Sequence, residues 1–323
     1  MSGASASGRQ SGWQTFLQLF NLACVGALLA MLLLDRSPAQ GWVYWVIVAA
    51  FWLLAWDLNA SLSSGRNPLG NVAGWLAPLI FGATLLILWE AICVGASVPT
   101  VLLPAPSLIA AKVALSTATL WGDFVQTVIR AAIPGWVIGS AAGFVIALAC
   151  DRFDFLRRGL IPIGNFVSAL PMIGIAPILV MWFGFDWQSK AAVVVVMTFF
   201  PMLVNTLAGL ASAGHLERDL MRSYGASWFR ALMSLRLPAA MPFIFNALKI
   251  NATLAMIGAI VAEFFGTPVV GMGFRISTEV GRMALDMVWA TIAVAGLAGS
   301  AFYGLLVLIE RAVTFWHPSM RTR

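Results

Sequence analysis

The stretch DLMRSYGASWFRALMSLRLPAA, residues 219–240, decides how the rest of the chain is read. It carries four charged residues, Asp219, Arg222, Arg230 and Arg236, between long apolar runs that are nearly free of charge. Asp219 stands where an acidic group favours a helix N-terminus, and Arg230 and Arg236 fall toward the C-terminal side. A glycine standing mid-helix costs about 1 kcal/mol against alanine, so Gly225 marks a turn or a close backbone approach. Pro238 cannot sit deep within a helix but can begin one. The spacing therefore predicts helix, glycine turn and helix, with the chain entering an apolar span at Leu237-Pro238. Taken alone, such a segment reads as an amphipathic connector resting on a bilayer surface.

The apolar runs around it make the bilayer the solvent. Of 323 residues, 61% are hydrophobic and 10% charged, where a soluble domain carries about 25% charged residues. Eight stretches are long and apolar enough to cross or nearly so: roughly 13–34, 41–56, 73–96, 127–150, 160–183, 191–212, 242–264 and 287–309. The fold class expected is all-α, a polytopic membrane protein of about eight transmembrane helices. The first run is too long for a signal-peptide core and lacks an A-x-A pattern, so it is expected to stay as an anchor. The second is short, and Trp42, Tyr44, Trp45, Trp52 and Trp56 suit interface anchoring as well as spanning. Counting lysines and arginines in alternate loops from an inside N-terminus puts twelve inside and five outside. The five are Arg36, Lys112, Lys190, Arg275 and Arg282. This bias predicts both termini, and residues 219–240, in the cytoplasm. Residues 104–120, PAPSLIAAKVALSTATL, begin with prolines and a Ser107 cap and suggest a short helix on the outer surface.

Signals for chemistry within the chain are weak. None of Lys112, Lys190 and Lys249 follows a glycine, so no phosphate-cradling P-loop is present. Cys24, Cys93 and Cys150 all lie in apolar runs without paired spacing, and His215 and His317 have no ligand-like partner. No catalytic residue, metal site or cofactor is expected. Polar residues within spans are the remaining functional candidates: Glu90, Arg130, Asn165, Asn205, Asn246, Lys249, Asn251 and Glu263. Snorkelling accounts for Glu90, Arg130, Lys249 and Glu263, and interhelical hydrogen bonding for the asparagines. Gly135, Gly139 and Gly143 form a small-residue stripe of the kind that packs helices closely. Pro162, Pro171, Pro177 and Pro201 should break or kink the fifth and sixth spans, as is tolerated where backbone lines a protein cavity. A translocation path is expected there, along Pro171, Pro177, Asn205 and Asn246. GTPVVGMGF, residues 266–274, is either a gate element at the outer mouth or a glycine-rich turn.

An acidic residue, a glycine six positions on and an aliphatic-x-Leu-Pro closing nineteen positions on resemble the EAA loop of ABC importer permeases. Here these are Asp219, Gly225, Leu235, Leu237 and Pro238, with Leu220 and Met221 where the family usually has a small pair. LWEAICVG…LLPAPSLI (88–109), ALPMIGIAPILVMWFGFDWQSK (169–190), FFPMLVNTLAGL (199–210) and IVAEFFGTPVVGMGFRI (260–276) resemble the nitrate/taurine/alkanesulfonate branch. The likeness runs over roughly 75–317. It implies an N-terminal extension, 1–70, with two accessory spans, a six-helix type I permease domain over 71–317, and a cytoplasmic tail, 318–323. It also implies that Asp219, Tyr224, Gly225, Ala226, Leu235, Leu237 and Pro238 form a coupling helix docking on a cytoplasmic ATPase. The expected partners are two such ATPase subunits, an external solute-binding protein and a second permease copy, in the bacterial inner membrane. ATP hydrolysis would lie on the separate subunit, so the chain itself would not be an enzyme. The solute would be small and organic, with a lean toward a pyrimidine-like nitrogenous heterocycle over sulfonate or nitrate. The alternative is a secondary transporter or channel without an ATPase, which would be expected to show ionisable residues near mid-membrane.

Overall fold

A computed structural model of the chain describes residues 26, 41–63, 71–266 and 269–316, and every regular element among them is a helix. The expected span at 13–34 and the tail 318–323 lie outside the described residues. The described part divides into two units, the first reaching Ala114 with Ala284–Asp286, the second covering Leu115–Met283 and the chain from Met287.

The first unit holds α1 (Trp42–Ser63), α2 (Asn71–Gly95) and α3 (Pro106–Leu115). The short second stretch thus extends into a 22-residue helix, long and apolar enough to cross a bilayer. Helices α1 and α2 pack together where the Tyr44 hydroxyl donates to the Ala91 carbonyl at 2.8 Å. The expected Ser107 cap is corrected. Helix α3 begins at Pro106, and the Glu90 carboxylate accepts from the Ser107 N–H at 2.8 Å and its hydroxyl at 2.6 Å. An anion at a helix start satisfies an amide that has no partner within the helix. Glu90 therefore caps α3 and does not snorkel.

The second unit comprises α4 (Thr117–Arg152), α5 (Asp154–Ala169), α6 (Met172–Phe183), α7 (Trp187–Ala211), α8 (His215–Ser223), α9 (Trp228–Glu263), α10 (Met272–Gly281) and most of α11 (Leu285–Val313). Helices α4 and α9 each include a π-wound segment, Val125–Ala132 and Leu232–Arg236. Helix α7 packs along both α4 and α9. The glycine stripe makes one contact possible: a Cβ at Gly135 would stand 2.8 Å from the Ala191 carbonyl, and one at Gly143 2.9 Å from Met202 Cβ. On α9 the buried positions include Ala240, Ala247, Ala252, Ala255, Ala259 and Ala262. Small residues let helix backbones approach where lipid supplies no hydrophobic drive between helices.

The expected span at 160–183 is not one helix. Leu170, with ψ 133, is extended ahead of Pro171, as the ring of a following proline requires, and separates α5 from α6. Gly184, at φ +83, then ends α6. Six helices among the described residues are long and apolar enough to cross: Trp42–Ser63, Leu76–Gly95, Thr117–Arg152, Trp187–Ala211, Trp228–Glu263 and Leu285–Val313.

Candidate functional site

Helix α8 begins earlier than the sequence pattern suggests. Gly214 is its extended N-cap, and the Gly214 N–H donates to Glu217 Oε2 at 2.9 Å. The acidic post at the helix start is therefore Glu217, since it alone falls at the third helical position from which a carboxylate reaches back to the cap. Asp219 lies within the helix, 3.5 Å from Arg222 in a largely exposed ion pair. At the other end the Gly225 N–H bonds the Arg222 carbonyl at 2.9 Å and the Ala226 N–H that of Met221 at 3.0 Å. These two bonds, around Gly225 at φ +65, form a Schellman turn that satisfies the last carbonyls of α8. A side chain at Gly225 would meet nothing within 4 Å, so the requirement is for the dihedral.

Ser227 starts the next helix, its hydroxyl accepting from the Arg230 N–H at 3.3 Å. Regular α-winding resumes at Leu237, with Pro238 in its first turn, and the helix does not break there. The π-wound turn, in which the Leu237 N–H reaches the Leu232 carbonyl, carries α9 straight through. The wider winding takes up the proline that has no N–H to offer.

The expected coupling residues fall into two sets. Asp219, Tyr224 and Gly225 are exposed, while Ala226, Leu235, Leu237 and Pro238 are half-buried at the base. Residues four apart on a helix share a face, and Leu216, Leu220 and Tyr224 make an apolar stripe at 74%, 57% and 79% exposure. Beneath it, Leu232 is buried against Met202, Leu210, Ala240 and Ile244. Arg236 forks onto Asp151 at 2.6 and 2.5 Å and bonds the Leu210 carbonyl through Nε at 3.2 Å. The loop thus shows a free apolar face above a fixed base.

The four expected path residues are not joined by any hydrogen bond among the described residues. Pro171 is exposed at the α5–α6 break, and Pro177 is half-buried within α6. Asn205 folds back on its own helix to the Pro201 carbonyl at 2.8 Å, and Asn246 is exposed. Of the expected asparagines, Asn251 is buried mid-span, and its amide donates to Ser140 Oγ at 2.9 Å and the Thr198 carbonyl at 2.8 Å. Lys249 does not snorkel. It pairs at 2.7 Å with Glu310 of α11, a partner 61 positions away with no local signal. The side chain of Asn165 lies outside the described residues.

At the far end of α9, Glu263 is also buried, not snorkelling, at 1% exposure. Its carboxylate accepts from Thr127 at 2.8 Å and from the Gly273 N–H at 2.7 Å, and the Met272 N–H reaches Thr127 Oγ1 at 2.8 Å. Asp123 accepts from the Gly271 N–H at 2.8 Å and from Arg275 Nε at 2.8 Å. Two buried carboxylates thus hold the first amides of α10, where the helix leaves its donors free. The hydrogen bond to Asp123 holds the Arg275 guanidinium above its ordinary pKa. The described part of the 266–274 stretch is therefore fastened to α4 and α9. Lys190, expected in an outer loop, is in the first turn of α7, fully buried, and donates to the Phe185 carbonyl at 2.5 Å. Among the described residues no group of three His, Cys, Asp or Glu is placed to hold a metal ion.

Residues 135–315 match the family described as the binding-protein-dependent transport system inner membrane component. A probable ABC transporter permease protein of Haemophilus influenzae is 30% identical over 217 residues, covering 67% of this chain and 88% of the relative. The riboflavin transport system permease protein of Chloroflexus aurantiacus is 28% identical over 237 residues, 73% of this chain and 88% of that one. A putative aliphatic sulfonates transport permease protein of Bacillus subtilis is 26% identical over 248 residues, 76% and 89% of the two chains.

Proposed function

We propose, because this chain belongs to the family of binding-protein-dependent transport system inner membrane components, that its 214–238 loop is the seat of a cytoplasmic ATPase. The family is one of multi-pass ABC importer permeases, which are not themselves enzymes, and it implies ATPase and solute-binding partners. The finer reading is a homodimer in the bacterial inner membrane with both termini in the cytoplasm. Two ATPases would sit inside and a solute-binding protein outside.

The observation that carries the reading is the stripe Leu216, Leu220 and Tyr224 on a short helix otherwise rich in charge. A helix that lays an apolar face into a protein groove shows anchors at this spacing. Asp219 and Arg222, largely exposed beside it, suit the polar rim of such a contact. Gly225 supplies the turn that lets α8 stand off from α9. ATP-driven closure of two docked ATPases would then rock the spans between inward- and outward-open states.

For the solute, the relatives named for riboflavin and aliphatic sulfonates support a small organic molecule. We lean to a nitrogenous heterocycle of pyrimidine type. The test is co-purification of the chain with its partner ATPase, for the native protein and for Leu220→Glu. Loss of the ATPase in the variant, with the chain still inserted, supports the reading. Uptake by the chain alone in proteoliposomes, driven by an ion gradient without ATP, would establish a secondary transporter instead. Calorimetry of the cognate binding protein with riboflavin, a formylated aminopyrimidine and taurine would decide the solute class.

A further inference from the structure

We infer that Arg236 is a positioning residue for coupling, the bolt that fastens the loop to α4 and α7 so that a push on the loop moves those helices. This rests on the docking role given above to the 214–238 loop. The stripe explains where a partner would sit. It does not explain how a displacement of a short surface helix reaches the membrane-spanning helices, and the arrangement at the base of the loop does.

All three ends meet at the Arg236 guanidinium. Nη1 and Nη2 donate to the two oxygens of Asp151, at 2.6 and 2.5 Å, and Nε donates to the Leu210 carbonyl at 3.2 Å. Asp151 lies in the last turn of α4 and Leu210 in the last turn of α7. The two side chains are 16% and 10% exposed, so water competes weakly for the pair. Only a planar guanidinium presents parallel donors to one carboxylate while a third donor points elsewhere. The charge also sits well. The carbonyl ends of α4 and α7 carry the negative pole of each helix, which favours a cation.

A second layer repeats the arrangement. Arg152, next to Asp151, lies over the Trp228 ring at 5.9 Å. Trp228 and Arg236 are eight positions apart at the start of α9, about two turns, which places both toward the end of α4. Arg218, on α8, donates to the Ala211 carbonyl, the neighbour of Leu210. Each of α4 and α7 is therefore held at two points by the loop region. The exposed stripe contributes to none of these bonds, so the clamp and the docking face are separate sets of residues.

Arg236 also ends the π-wound segment of α9, next to Leu237-Pro238. This is where α9 changes winding, and it is the natural joint if the clamp opens. A lysine at 236 would keep the charge and lose the fork. The loop would then hinge at the π-wound turn and absorb a push instead of passing it on.

The test uses the full chain in complex with its ATPase, with Cys24, Cys93 and Cys150 replaced by serine. A reporter Trp121→Cys is placed in the first turns of α4, at the other end from Asp151. The readout is the rate of labelling by N-ethylmaleimide with and without the ATP analogue AMP-PNP, beside co-purification and melting temperature. In the otherwise native complex the analogue should change the rate about tenfold, the scale of ordinary site-to-site coupling. With Arg236→Lys or Asp151→Asn the change should shrink to about twofold or less while the ATPase still co-purifies. The exchange Asp151→Arg with Arg236→Asp should restore part of the response. A full response in Arg236→Lys and Asp151→Asn overturns the proposal. So does loss of the ATPase together with the response, which would make Arg236 a support of the docking face. Should the reporter complex with Arg236 and Asp151 intact fail to retain its ATPase, the docking role of the loop falls, and this inference with it.

Discussion

Replacing Gly225 by leucine isolates the turn from everything around it. The residue stands at φ +65, and a Cβ there meets nothing within 4 Å of the chain itself. The substitution therefore strains the backbone without a clash inside the protein. A left-handed dihedral costs a non-glycine residue about 1–2 kcal/mol. At about 1.4 kcal/mol per factor of ten, the docking-competent loop is depopulated about 5- to 30-fold. Relaxing the strain breaks the two Schellman bonds, from Gly225 to Arg222 and from Ala226 to Met221. This frees α8 and its stripe from the orientation that the turn sets. Gly225→Asn is the matched control, because asparagine tolerates the left-handed region far better than leucine. The assay is titration of the detergent-purified chain with its ATPase, beside solute uptake in cells. Gly225→Leu should weaken association by the factor above and abolish uptake, with Gly225→Asn close to the native protein. Asp219→Asn should be mild, since its exposed pair with Arg222 is worth about 0.5 kcal/mol. If Gly225→Leu binds the ATPase within about twofold of the native chain, the turn does not position a docking face. Equal damage from asparagine and leucine would place the requirement in the partner's groove, not in the dihedral.

At the other end of α4, Asp123→Ala should destabilise the protein by about 2 kcal/mol, because it leaves the Gly271 amide unpaired and the Arg275 guanidinium with Glu279 alone, at 3.7 Å. Asp123→Asn keeps an acceptor for Gly271 and should cost less; thermal melting and protease cleavage around α10 would show the order. Cysteine-accessibility labelling should find positions 112 and 275 accessible from outside and 218–236 accessible only from within. Labelling of position 112 only after the inner membrane is permeabilised would reverse the proposed orientation. Deleting residues 1–66 should leave assembly with the ATPase intact; a correctly inserted but unassembled remainder would make the extension structural to the transporter.

Much of this architecture is legible in the residues alone, and the reason is locality. Bilayer residence follows from composition, and five of the expected spans follow from apolar length: α2, α4, α7, α9 and α11. The turn at Gly225 follows from one residue type standing where a helix must stop, and the Gly135–Gly139–Gly143 stripe from spacing on one helix face. Where two local signals compete, the less conspicuous one decides the structure. Apolar length over 160–183 suggested one helix, but the steric demand of Pro171 on Leu170 divides it. Asp219 was the acidic group nearest the glycine motif, yet the extended backbone at Gly214 gives the capping position to Glu217.

The tertiary structure alone decided the polar partners. Arg236 finds Asp151 across 85 positions, Arg275 finds Asp123 across 152, and Glu263 finds Thr127 across 136. A charge at the end of an apolar helix looks the same in sequence whether it snorkels or is buried against a partner. The difference lies in which helix end arrives beside it with unpaired amides or carbonyls, as α10 does for Glu263 and α7 for Arg236. Periodicity and composition act over a few turns of one helix, whereas these partners are set by the close packing of α4, α7 and α9. That packing brings the helix ends together and leaves each carboxylate or guanidinium facing groups that water would otherwise have to satisfy.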